Sequence, residues 1–265
     1  MRLILAAVMA LLISPAWACG VKSDCKLGDR IYRIYVPERT DDKPIGAIVF
    51  AHGYRNSAAG TMSNKSLLKL ADELHVALVA AQSTGSGWEL PNRPWHWNNT
   101  GEEEYKYFDN LVDEVEKRYH IDRKRLLMSG FSSGGMMVWS LACNRGDLFA
   151  GFAPISGTFW APVPKRCPSQ PVNLMHFHGT KDTVAPLGGR SIADSKQGDV
   201  IRALDLFVRT GHFGKPKPMP AKALKCERRQ NPNGKILEFC THNGGHMYKA
   251  AFIRRAWHTF GLDKN

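Results

Sequence analysis

One segment restricts this chain more than any other. Leu126-Leu127-Met128-Ser129 runs into Gly130-Phe131-Ser132-Ser133-Gly134-Gly135, the one Gly-x-Ser-x-Gly match in the sequence. An apolar run precedes it, and a helix-like stretch from Met136 to Cys143 follows. A serine wedged into a sharp strand-to-helix turn needs glycines on both sides, because neighbouring backbones approach too closely for a Cβ. Such a turn lifts the hydroxyl clear of the sheet and leaves main-chain N–H groups at the helix start to hold an oxyanion. The segment reads as a nucleophile elbow with Ser132 as the attacking residue. The alternative is a tight turn that carries an exposed serine.

Strand and helix signals alternate on either side of this turn. Residues 30–36 alternate apolar and polar positions, as a half-buried strand does, whereas 46–50 and 77–81 are short apolar runs typical of strands covered on both faces. Residues 64–74 and 102–119 have helical spacing, the second with acidic residues in its first turn. A strand over 125–129, the elbow, a helix over 134–143 and strands over 148–154 and 172–177 follow. A helix over 199–209, a hairpin pairing 223–228 with 235–240, and a last helix over 247–260 complete the series. The pattern predicts an α/β fold: a mostly parallel sheet with helices on both faces, in one domain over residues 19–265. Residues 214–220, rich in Lys and Pro, are expected to form a stiff surface connection.

Residues 1–18 read as a secretion signal: Arg2, an apolar stretch from Leu3 to Ile13, and Ala16-Trp17-Ala18 as the cleavage site. The apolar stretch is too short to span a bilayer, and no later one suffices. The expected location is therefore secreted or periplasmic. Six cysteines in an exported chain favour disulfides. Sequence proximity suggests Cys19–Cys25, Cys143–Cys167 and Cys226–Cys240. No pair has Cys-x-x-Cys spacing, so no metal site is assigned. The net charge of +12 favours weak attraction to anionic surfaces, but no nucleic-acid motif accompanies it. The chain is expected to be a monomer.

A serine hydroxyl is a poor nucleophile until a base takes its proton, so a histidine and a group that orients it are required. In α/β hydrolases the acid and then the histidine follow the serine in chain order. Asp182 leaves the strand over 172–177 in the loop His178-Gly179-Thr180-Lys181-Asp182 and is the expected acid. Asp199 and Asp205 are fallbacks. Of two histidines in Cys240-Thr241-His242-Asn243-Gly244-Gly245-His246, His246 is the expected base, because its glycines and position let it reach the elbow. His242 is expected in a solvated polar role. The Ser133 N–H, and the Tyr54 N–H in the turn Ala51-His52-Gly53-Tyr54, are the expected oxyanion donors. His52, His176 and His178 are read as structural.

With these residues in hand, the chain resembles a known group. His52-Gly53, Gly130-Phe131-Ser132-Ser133-Gly134-Gly135, His178-Gly179-Thr180-Lys181-Asp182 and Gly244-Gly245-His246 look like the secreted polyhydroxybutyrate depolymerase / feruloyl esterase family of α/β hydrolases. The likeness extends over residues 30–260. It implies Ser132, Asp182 and His246 as triad, Tyr54 and Ser133 as oxyanion donors, and hydrolysis of carboxylic esters with neither metal nor organic cofactor. The implied substrates are polyhydroxyalkanoate oligomers, or feruloyl or acetyl esters of sugars. Family members often carry Trp-Pro after the histidine, whereas Met247-Tyr248 stands here.

Trp95, His96 and Trp97, in the long segment 82–101, are candidate pocket walls, as is Trp160 beside Phe159. Trp88 and Trp97 are expected to be packed, and Met136 and Met137 to be core. Two other functions share this sequence: an α/β-hydrolase-fold serine peptidase, and a catalytically idle cationic protein that binds at the cell envelope.

Overall fold

A computed structural model describes residues 19–263; the expected secretion signal lies outside the described residues. In chain order come β1 (Cys25–Leu27), β2 (Arg30–Tyr35), β3 (Ile45–Ala51), α1 (Ala58–Met62), α2 (Lys65–Leu74), β4 (Ala77–Ala81) and α3 (Glu102–Tyr119). Next are β5 (Ile121–Phe131), α4 (Ser133–Asn144), β6 (Gly151–Ile155), β7 (Leu174–Gly179), β8 (Ser191–Ile192), β9 (Ser195–Lys196) and α5 (Val200–Gly211). The last four are β10 (Lys217–Met219), β11 (Lys225–Gln230), β12 (Ile236–His242) and α6 (Ala250–Thr259).

Ten of these strands form one sheet in the order β1-β2-β4-β3-β5-β6-β7-β12-β11-β10. The six from β4 to β12 run parallel, and antiparallel strands flank them on both sides. Alternate residues of a strand face opposite sides, and β3 and β5 show it. Val49, Leu126 and Met128 join the layer that holds α3, α4 and α5, whereas Ile48, Phe50 and Leu127 join the layer of α1, α2 and α6. The mostly parallel sheet with helices on both faces expected from the alternating pattern is therefore present, in the α/β-hydrolase architecture that the resemblance implies.

Local chemistry sets the helix ends. Asn64 caps α2 by accepting from the Ser66 and Leu67 N–H groups, and α3 opens on Glu102, Glu103 and Glu104 and closes on Lys117 and Arg118, matching the helix dipole. Helix α4 is buried from Gly134 to Cys143, which is why its sequence has no polar face. All three suggested disulfides are formed, Cys226–Cys240 bridging directly paired residues of β11 and β12.

The structure corrects several expectations. Strand β5 begins at Ile121 rather than at residue 125, because Asp122, Arg123 and Lys124 occupy its solvent-facing start. Residues 217–219, expected in a surface connection, form β10 at the sheet margin, where prolines are tolerated for want of an outer partner. Helix α6 starts at Ala250 rather than at residue 247. Trp88 is buried as expected, but Trp97 is 61% exposed. Among the described residues, no helix is long and apolar enough to cross a membrane.

Candidate active site

The elbow is built by close main-chain approach. Ser132 has φ +58° and ψ −119°, a strained conformation that side chains rarely adopt and that is found where function demands it. A Cβ on Gly130 would sit 2.5 Å from the Gly134 carbonyl oxygen, and one on Gly134 would sit 1.9 Å from that of Ala51. Both glycines are thus required by the packing of α4 against β3 and β5. Gly157 is equally constrained from the other side, since a Cβ there would lie 2.2 Å from the Ser132 carbonyl oxygen. Gly157 lies outside the motifs singled out in the sequence. Its signal was a glycine two residues after a buried strand, which marks close backbone approach.

Asp182 and His246 come together because β7 and β12 are adjacent and parallel, with His242 opposite Gly179. The loops leaving these two strands are then stitched by main-chain bonds: the Thr180 N–H donates to the His242 carbonyl, and the Lys181 N–H to that of Gly244, both at 2.9 Å. Gly179 permits this, as a Cβ there would meet the Gly244 and Gly245 oxygens at 2.4 Å. His246 Nδ1 lies 2.7 Å from Asp182 Oδ2. The other carboxylate oxygen accepts from the Val184 and Ala185 N–H groups at 2.9 and 2.8 Å. The acid side chain is fully buried, with His246 at 16% exposure. The His246 ring packs on Phe131, the residue before Ser132, at 4.6 Å between centroids. Asp182 accepts from the Nδ1–H, which leaves the lone pair of the neutral ring on Nε2. Among the described residues no hydrogen bond joins Nε2 to the Ser132 hydroxyl, a looseness common in sites without substrate.

Beneath this pair runs a chain of buried rings. The Trp139 indole N–H donates to His176 Nδ1 at 3.3 Å, which leaves His176 Nε2 to donate to His178 Nδ1 at 2.9 Å, and His178 Nε2 to donate to the Ala185 carbonyl at 2.7 Å. Each bond fixes the tautomer of the next ring. Burial pushes His176 well below the usual histidine range and His178 below it as well. Both stay neutral and support the Asp182 loop, in keeping with a structural role.

Tyr54 belongs to a turn that lies against the elbow, where a Cβ on Gly53 would be 3.6 Å from that of Ser132. Among the described residues, neither the Tyr54 N–H nor the Ser133 N–H has a hydrogen-bond acceptor. His52 holds the turn: its Nε2 accepts from the Ser83 N–H at 3.2 Å, leaving Nδ1 to donate to the Gly53 carbonyl at 2.8 Å. Burial lowers its pKa, which favours this neutral form. His242 departs from the expected solvated role. It stacks on Phe252 at 5.5 Å, and its Nε2 is buried without a partner. The fallback acids are accounted for elsewhere, Asp199 as the cap of α5 and Asp205 within that helix.

A small cavity of about 20 Å³ adjoins Ser132. Trp95, His96 and Trp97 line an open groove that shares no residue with it. Trp160 borders a separate cleft of about 220 Å³ with Leu90 and Phe159. Trp95 and Trp97 are pinned by Asp194, which accepts from the Trp95 N–H and the Trp97 indole. None of the candidate walls lines the cavity beside Ser132, whose lining adds Thr158 and Gln197, two residues that carry no motif in the sequence.

Comparison with known proteins agrees with this architecture. Residues 63–161, which hold the elbow but neither Asp182 nor His246, match the prolyl oligopeptidase family. A putative esterase, NocK, of Nocardia uniformis is 24% identical over 83% of this chain and 70% of its own length. A probable feruloyl esterase C of Aspergillus clavatus is 28% identical over 66% of this chain, and the match spans 61% of that enzyme. Among solved structures, an acetyl xylan esterase from Aspergillus awamori superposes with a TM-score of 0.64 at 15% identity, covering 91% of this chain and 98% of the other. The chain thus has the α/β-hydrolase fold of these structures, and the sequences it is similar to are feruloyl esterases and other esterases.

Proposed function

We propose that the protein is an exported serine esterase that hydrolyses carboxylic esters through Ser132, His246 and Asp182. The observation that carries this reading is the buried Asp182–His246 pair, hydrogen-bonded at 2.7 Å and seated on the residue that precedes a strained Ser132. In the reaction His246 Nε2 takes the proton from Ser132 as its Oγ attacks the ester carbonyl carbon. Asp182 holds the Nδ1–H and stabilises the imidazolium that forms. The Tyr54 and Ser133 N–H groups receive the charge that develops on the carbonyl oxygen. Collapse of the tetrahedral intermediate breaks the ester C–O bond, and His246 returns its proton to the departing alcohol. Water, deprotonated by the same imidazole, then releases the acid and restores Ser132. The relatives support esters of sugars with feruloyl or acetyl groups as the substrate class. The three disulfides and the leader-like residues 1–18 support a secreted or periplasmic location.

The test is turnover of 4-nitrophenyl acetate together with labelling by a fluorophosphonate. Ser132→Ala is expected to abolish both while the circular dichroism spectrum stays unchanged. Near-normal activity in that variant rules the mechanism out. The prolyl oligopeptidase match supports a second reading, a peptidase on the same scaffold. Cleavage of prolyl anilides but not of esters would favour it, whereas an idle binding protein would show neither turnover nor labelling.

A further inference from the structure

The cavity beside Ser132 is small. At about 20 Å³ it has room for one group the size of a water or a methyl. Its lining includes Ser132 itself, Met136, Thr158 and Gln197. The hydroxyl of Thr158, a residue only 4% exposed, and the amide oxygen of Gln197 are buried there without hydrogen-bond partners. A separate cleft of about 220 Å³ has Leu90, Pro91, Phe159 and Trp160 in its walls. Met136 lines both spaces and is the one residue they share. It sits in the first turn of α4, where its N–H bonds the Ser132 carbonyl at 3.0 Å, so its position is tied to the nucleophile. Its side chain is 4% exposed and lines both the cavity beside Ser132 and the larger cleft.

We infer that Met136 is the wall that limits the acyl group to about two carbons, and that the larger cleft takes no part in native acyl binding. This rests on the esterase reading of Ser132. An acetyl methyl fills the small cavity, whereas a longer chain or a feruloyl ring would have to displace the methionine. Truncating Met136 is expected to join the two spaces into one channel. The flexible thioether makes this wall adjustable by substitution without reshaping the main chain.

The experiment measures kcat/KM for 4-nitrophenyl acetate, butyrate and octanoate with the wild type, Met136→Ala, the milder Met136→Val, and Met137→Ala. Met137 lies next in α4, is fully buried and borders neither space, so it controls for general loosening. The wild type is expected to lose at least tenfold from acetate to octanoate. Met136→Ala is expected to raise the octanoate-to-acetate ratio at least tenfold and Met136→Val to raise it by less, while Met137→Ala leaves the ratio within threefold. Octanoate turnover equal to that of acetate in the wild type overturns the inference. So does a ratio unmoved in both folded Met136 variants, or moved as much by Met137→Ala. A second series, acetates of short and long alcohols, is expected to be insensitive to Met136; a change there but not in the acyl series also overturns it. Should Ser132→Ala hydrolyse acetate at the wild-type rate, it is the esterase reading that fails, an outcome separate from any result on chain length.

Discussion

Replacing Asp182 by Asn separates the orienting role of this residue from its structural one. The carboxylate accepts three hydrogen bonds, two from loop N–H groups at Oδ1 and one from His246 at Oδ2. An asparagine keeps an oxygen toward Val184 and Ala185, so the loop stays closed and the stability loss is expected to be under about 2 kcal/mol. Its NH₂ then faces Nδ1 of His246. Two donors cannot pair, so the imidazole shifts its proton to Nε2, the atom that must accept from Ser132. The expected fall in kcat is about 10⁴-fold, or about 5.4 kcal/mol of barrier. Asp182→Ala differs because it also strips two buried N–H groups of their acceptor, at about 1–3 kcal/mol each. It should lose about 2–6 kcal/mol of stability as well as activity. Turnover of 4-nitrophenyl acetate and urea denaturation, run on both variants, provide the comparison. Asp182→Asn activity within tenfold of the wild type refutes the orienting role. Equal destabilisation by Asn and Ala refutes the loop-closing one.

Two further outcomes follow from the elbow and its support. Gly134→Ala places a Cβ 1.9 Å from the Ala51 oxygen, against main chain that cannot yield, and is expected to abolish soluble folded protein. Gly53→Ala, whose nearest atom would be 3.4 Å away, should retain the fold, and comparable yields for the two would contradict the packing account. Stability should also fall with acidity. His176 and His178 are held below the usual histidine range when folded. Above about pH 6.5 both states are neutral and nothing changes, but as pH falls through that value the unfolded chain takes protons the fold refuses. The pair then removes up to about 2.7 kcal/mol per pH unit. A urea midpoint that stays constant between pH 7 and 5.5 would be inconsistent with neutral rings.

Much of this was readable before any coordinates. Helix α3 and strand β4 have the boundaries their patterns give, because acidic and basic ends and an unbroken apolar run leave little choice. The elbow and the acid loop were legible because each carries a glycine that close main-chain contacts demand, and the histidine loop because it follows the last strand of the series. What stayed hidden depends on tertiary surroundings. Prolines in residues 214–220 argue against a strand until the segment is known to lie at a margin. Trp97 reads as a core residue by type, yet Asp194, far away in sequence, fixes it at the surface. Met136 looks like ordinary core, and only the two spaces on either side of it reveal a boundary.

The margin strand β10 has a consequence for life at high concentration. Main-chain donors of a strand alternate between its two sides. Pro216, Pro218 and Pro220 therefore strip hydrogen-bond donors from one side in series, while Lys215 and Lys217 add charge. At the opposite margin β1 is only 3 residues long. Among the described residues both borders of this broad sheet are therefore poor templates for another molecule to extend, which works against end-to-end aggregation of its sheets.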